Sequence, residues 1–108
     1  MQMHQIRYFL ALCEERSFTR AASRSAVSQP SLTDAIRALE EELGGTLFRR
    51  RPLVALTTLG QAVYPYLKHI AENADHARVA ARALTDMRTM RSEAAIASQP
   101  ARLQHTGG

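Results

Sequence analysis

The sequence predicts a mostly α-helical fold: a winged helix-turn-helix, with a three-helix core and a two-stranded wing, followed by a long dimerisation helix. Three observations predict it. Two short helical segments are joined by a tight turn, and the second opens Ser28-Gln29-Pro30-Ser31. Two strand-like segments around an arginine-rich tip follow directly. An apolar heptad pattern then runs through much of the second half of the chain.

Each element has its own signal. Residues 3–16 place Met3, Ile6, Phe9, Leu10 and Cys13 at helical spacing, with Arg7, Glu14 and Glu15 on other faces. Ser17 reads as the N-cap of a short second helix from Phe18 to about Arg24, where Ala21 and Ala22 let a neighbouring helix come close. Ser25 to Val27 form the turn. Ser28 is a good N-cap for the third helix, and Pro30 lies in its first turn, where a missing N–H costs nothing. Leu32, Ile36, Leu39 and Leu43 mark its buried stripe, and Gly44-Gly45 ends it. Thr46–Arg49 and Val54–Thr57 read as the two strands of a hairpin tipped by Arg50-Arg51-Pro52-Leu53.

Thr57 then caps a fourth helix starting near Thr58. Its Leu59, Val63, Tyr66, Ile70, Asn73, Ala77, Ala80, Leu84 and Met87 alternate by four and three, the spacing of a coiled-coil seam. A helix of roughly 30 residues spans ~45 Å, too long to pack wholly on a domain of this size, so its far half needs another chain. Pro65 predicts a bend in it and not a stop. The expected organisation is a winged helix-turn-helix over 1–57, a linker and dimerisation helix over 58–88, and a disordered tail over 89–108, where the periodicity is lost.

The totals bound the function. A chain of 108 residues with 45% hydrophobic residues holds one small core plus an accessory element. A net charge of +4 favours a polyanionic partner. Of 14 basic residues all but Lys68 are arginine, which grips phosphates and guanine edges with two prongs. Codon usage in a GC-rich genome gives the same total, so only the placement of the arginines carries weight. Cys13 stands alone, which excludes an internal disulfide or a cysteine-rich metal site; on an apolar helix face its default role is a small buried hydrophobe. No run of about 18 apolar residues predicts a membrane span. The N-terminal apolar stretch is broken by Arg7, ends in Glu14-Glu15 and lacks a small-residue cleavage site, so a cytoplasmic, nucleoid-associated protein is expected. His4, His69, His76 and His105 are scattered, and no metal, cofactor, catalytic arrangement or enzyme activity is predicted.

The chemistry concentrates at the start of the third helix. Its first turn has spare N–H groups and a partial positive charge suited to phosphate, and in a helix-turn-helix such side chains meet base edges in the major groove. Gln29 can pair with adenine through two hydrogen bonds, and Pro30 offers an apolar contact to a thymine methyl. Ser28, Ser31 and Thr33 carry short hydroxyls suited to phosphates or base edges. Arg37, two turns in, can reach a phosphate or a guanine. Arg49, Arg50 and Arg51 suit the negative potential of a narrow minor groove, although strand alternation puts Arg50 on the opposite face from the other two.

The strings FLALCEERSFTRAA, VSQPSLTDAIRALEEELGGTLFRR and ALTTLGQAV resemble the N-terminal domain of LysR-type transcriptional regulators, over about residues 3–88. The resemblance implies a dimer joined through the linker helix, bound to double-stranded DNA at a pseudo-palindromic operator near a promoter. It implies DNA contacts from Gln29, Pro30, Thr33 and Arg50, with Ser17, Phe18, Thr19, Ser28 and Ser31 near the backbone or groove, and prolines like Pro65 early in the linker helix. Three features depart from the pattern. Position 34, commonly basic or amide in the family, is Asp34, which can accept from cytosine N4 or pair with Arg37 at i,i+3. Pro52-Leu53 stands where many members carry a further basic residue. The tail SEAAIASQPARLQHTGG does not resemble the first strand of the ligand-binding domain that usually follows, so no co-inducer site is expected in this chain. A heterodimer with a full-length relative is the alternative role.

Overall fold

The structure, a computed structural model, describes residues 1–97 and contains four helices and a two-stranded hairpin. Helix α1 spans Met3–Glu15, α2 Phe18–Arg24 and α3 Gln29–Leu43; β1 is Phe48–Arg49, β2 Ala55–Leu56, and α4 runs Thr58–Ala97. The described residues fall into two units, Met1–Asn73 and the stretch of α4 from Ala74 onward.

In the first unit α1, α2 and α3 pack pairwise on one another. The centre is Phe9, Leu12, Leu32, Ile36, Leu39 and Leu47, all fully buried. The predicted α3 stripe is present, with Leu43 half-buried at its end. On α1 the buried set is Ile6, Phe9, Ala11 and Leu12, one step from the predicted line, and Met3, Leu10 and Cys13 pack at its margin. Ala21 and Ala22 are buried where α2 meets its neighbours, as expected of a small-residue contact. Phe9 joins three elements: its ring lies 5.3 Å from Phe48 of the wing and 6.3 Å from Tyr64 of α4, both tilted.

The caps explain where the helices begin and end. Ser17 Oγ accepts from the Arg20 N–H at 3.1 Å, and Ser28 Oγ accepts from the Ser31 N–H at 3.2 Å. Gly44 closes α3 at φ 90°, its N–H donating to the Glu40 carbonyl. α1 closes on Arg16 and the α2–α3 turn on Ala26, both in the left-handed region at φ 53° and 58°. Thr57 Oγ1 accepts from the Gly60 N–H at 3.0 Å and donates to the Thr46 carbonyl at 2.6 Å, capping α4 and pinning it to the wing.

Two expectations change. The strands are shorter than predicted, pairing antiparallel as Phe48 with Leu56 and Arg49 with Ala55. The flanking bonds there run from Thr57 to the carbonyls of Thr46 and Leu47. The fourth helix does not end near residue 88 but continues to Ala97. Residues 89–97 hold three alanines with Met, Arg and Glu and no glycine or proline, so nothing in the local sequence stops the helix there; the rest of the predicted tail, 98–108, lies outside the described residues. Pro65 sits inside α4 without stopping it, at the cost of the donor for the Gln61 carbonyl. No helix among the described residues is long and apolar enough to cross a membrane.

The predicted seam on α4 divides. Leu59 and Val63 are half-buried against the chain's own core, together with Tyr64, Leu67 and Ala71, which the heptad reading did not select. Tyr66, Ile70 and Asn73 are exposed in the first unit, and Ala77, Ala80, Leu84 and Met87 in the second. The first turns of α4 therefore serve the core with one face while the next residues round the helix stay open.

Candidate nucleic-acid interface

The exposed face of α3 gathers Gln29, Pro30, Thr33, Asp34 and Arg37 around one open depression. The local sequence explains why. Leu32, Ala35, Ile36 and Leu39 bury the opposite face, which leaves 29, 30, 33, 34 and 37 outward by helical spacing. Gln29 occupies the first helical position, so its side chain extends past the helix end. It is steadied from α2, where the Thr19 hydroxyl donates to Gln29 Oε1 at 3.1 Å. The Gln29 amide N–H groups and a second oxygen lone pair stay available to a base edge.

Ser28 and Ser31 do not both point outward as free hydroxyls. The Ser28 hydroxyl donates to Ser31 Oγ at 2.9 Å while it accepts from the Ser31 backbone. The cap thus uses much of what the serines could offer a phosphate. Ser17 is committed to capping α2 in the same manner. The side chains of Asp34 and Arg37 make no hydrogen bond or ion pair with each other, or with other described residues. The i,i+3 pairing that the sequence left open is therefore not formed.

The wing arginines separate as strand alternation requires. Arg50 lies with its guanidinium 4.4 Å from the centroid of the Phe18 ring, at the start of α2. Arg49 points to the other side, lining a shallow groove with Leu56, Thr57, Thr58 and Gln61. All three wing arginines are exposed. Leu53 at the tip is 78% exposed, where a basic residue would extend the positive surface.

Sequence reasoning missed a clamp between α1 and α2. Arg24 is ion-paired to Glu14 and, at 3.3 Å, to Glu15. Arg20 reaches Glu15 at 3.6 Å and donates to its carbonyl at 2.7 Å. Hydrogen bonding to Glu14 raises the Arg24 pKa further. Such exposed pairs add little stability, but they offset two of the positive charges close to the interface. Arg20 and Arg24 share a face of α2 at i,i+4, yet nothing local indicates that the acidic end of α1 meets them. A second missed contact is Glu40, whose Oε2 accepts from the Leu47 N–H at 2.8 Å and ties α3 to the strand entry.

Residues 3–61 match the family profile described as bacterial regulatory helix-turn-helix protein, lysR family. The chain belongs to the LysR family. Among curated relatives, this LysR-family chain is 49% identical over 65 residues to the HTH-type transcriptional regulator BudR of Klebsiella aerogenes, covering 59% of this chain and 46% of BudR. It is 43% identical over 77 residues to BenM of Acinetobacter baylyi, covering 69% and 25%, and 40% over 83 residues to the Hca operon transcriptional activator HcaR of Escherichia coli, covering 76% and 28%. The chain thus spans less than half the length of these relatives. Among solved structures it resembles a BenM DBD/catB site 1 DNA complex, with TM-score 0.74 and 36% identity over 79% of this chain and 97% of that one. It also resembles a CbnR DBD–DNA complex, with TM-score 0.72 and 35% identity over 79% and 99%. Full-length OxyR from Pseudomonas aeruginosa matches with TM-score 0.72 and 37% identity over 77% of this chain and 28% of that one.

Proposed function

We propose that this chain binds double-stranded DNA sequence-specifically and takes part in transcription regulation as a dimer, in the cytoplasm. The observation that carries the reading is the exposed α3 face, where Gln29, Pro30, Thr33, Asp34 and Arg37 share one depression, with the exposed wing residue Arg50 over Phe18 at the start of α2. A recognition helix presents its N-terminal residues to base edges in the major groove, and an arginine wing suits the adjoining minor groove. The likeness to BenM and CbnR domains solved with DNA supports it, because it extends over nearly all of those chains. The exposed apolar side chains of α4 support the dimer, with Tyr66, Leu84 and Met87 each at least half exposed. A dimer of this kind calls for a pseudo-palindromic operator whose half-sites match its two-fold symmetry.

A gel-shift series on DNA upstream of the chain's own gene tests the function. The expected result is binding to that DNA well above binding to random DNA of equal length. Equal affinity for the two would refute sequence-specific recognition.

The same exposed α4 residues favour one second reading, pairing with a longer LysR-family chain. Co-purification with such a regulator is its expected signature, and a homodimer that never exchanges subunits with one would count against it.

A further inference from the structure

We propose that Asp34 and Arg37 together read one C·G base pair in the major groove, Asp34 accepting from cytosine N4 and Arg37 donating to guanine O6 and N7. The proposal rests on the reading of α3 as the recognition helix and adds a base preference to it.

Asp34 and Arg37 are exposed, one turn apart, and border the same depression as Gln29 and Pro30. Opposite charges at i,i+3 on a helix ordinarily attract, yet these two make no ion pair with each other or with another described residue. Both keep their hydrogen-bonding capacity for a ligand. An ionised carboxylate only accepts, and every phosphate repels it. The groups on the major-groove face of DNA that can donate to it directly are base amines. In the major groove those amines are cytosine N4 and adenine N6, and adenine sets its N6 beside the acceptor N7. A carboxylate meeting adenine faces that second acceptor, so cytosine is the better partner. Arg37 has the complementary character, a planar fork of donors that fits guanine O6 and N7. Cytosine and guanine are the two halves of one pair, whose edge offers a donor on one side and two acceptors on the other. An acid and an arginine one turn apart, unpaired with each other, present the matching acceptor and donors.

The acid also works against misplaced binding. Wherever cytosine is absent, Asp34 loses its hydration without gaining a partner, which costs more than the missing contact alone. Asp34 therefore lowers affinity for DNA in general while sharpening it for the correct site.

The test is selection of bound DNA from a random pool by the full chain and by its Asp34→Asn and Asp34→Ala variants. Affinities are then measured on the recovered site and on a copy with the C·G pair changed to T·A. The parent chain is expected to select a C·G pair once per half-site and to lose about tenfold in affinity when it is changed. Asp34→Asn should weaken the selection of cytosine and admit adenine, whose N6 and N7 an amide satisfies together, against the guanine preference that Arg37 keeps. Asp34→Ala should keep only the weaker C·G preference that Arg37 supplies through guanine and bind random DNA more tightly than the parent. Position 34 is exposed mid-helix, so both variants keep the fold. An identical motif from all three proteins would overturn the pair-reading assignment and leave DNA recognition standing. Failure of the parent to yield any motif would overturn the DNA-binding reading and this proposal with it.

Discussion

At the scale of single residues, space and solvation decide more than residue type. A Cβ on Gly60 would stand 2.3 Å from the Leu47 carbonyl oxygen and 2.8 Å from Leu56 Cδ2. That carbonyl already accepts from the Thr57 N–H at 2.9 Å, so it cannot retreat without breaking the junction of wing and α4. Gly60→Ala gains up to about 1 kcal/mol in helix propensity but forces a clash of the kind that costs about 1–3 kcal/mol. The expected net is a loss of stability, seen as a lower urea midpoint, and an unchanged midpoint would show that the wing yields freely. Nothing in the sequence marks this glycine, because the close approach is made by a distant backbone atom. Cys13 was partly legible: its place on an apolar helix face predicted a small buried hydrophobe, and it sits half-buried at the margin of the core. Burial, with the Glu14 charge adding, pushes its pKa up to about 12. The folded chain therefore holds the proton that the unfolded chain gives up first. The stability tied to this group is intact below pH 9 and falls as pH rises from about 9 towards 12. Parallel urea titrations should show the parent losing more stability across that range than Cys13→Ala, and equal slopes would remove the thiol from the account.

At the scale of elements, period and caps made the three core helices readable, while contacts between elements were not. Ser17, Ser28 and Gly44 sit at the ends they predicted, because caps act within one turn. The seam of α4 was only half legible. One apolar pattern served two purposes, and Leu59 and Val63 went to the chain's own core while Tyr66 and Ile70 stayed outside. The position of Arg50 over Phe18 was invisible in the sequence, since it depends on how the wing folds back towards α2. That contact makes a prediction about the wing as a unit. An exposed cation–π contact contributes about 0.5–1 kcal/mol, and here it restrains a long side chain before DNA arrives. Phe18→Leu should weaken operator binding about threefold with the salt dependence unchanged, because the Arg50 charge remains. Phe18→Tyr should bind like the parent. Arg50→Ala should weaken binding evenly across sequences and reduce the salt slope by about 1. A salt slope altered by Phe18→Leu would mean that the ring does something other than orient Arg50.

At the scale of the whole molecule, the two units divide the labour along α4. The helix begins as a wall of the core, with Gly60, Leu67 and Ala71 buried, and from Ala77 to Ala95 every side chain is exposed. At ~1.5 Å per residue, that exposed length can be stable only with help. Val79, Leu84, Met87 and Met90 supply the apolar surface a partner helix would cover. The heptad predicted Leu84 and Met87 but not Val79 or Met90, which lie off the strict four-three line. The double variant Leu84→Glu, Met87→Glu separates folding from assembly, because neither residue belongs to the core cluster. It should shift sedimentation from dimer to monomer while the urea midpoint of the first unit, measured at a concentration where both proteins are monomeric, stays put. Losing the dimer also removes the gain from engaging two half-sites at once, which reaches 10²-fold or more when the geometry is right. Affinity for a full operator should therefore collapse towards that for a single half-site, whose own affinity is unchanged because the α3 face lies in the other unit. A dimer that survives both charges would place the assembly surface elsewhere, and Tyr66 and Ile70, exposed on α4 within the first unit, would be the residues to vary next.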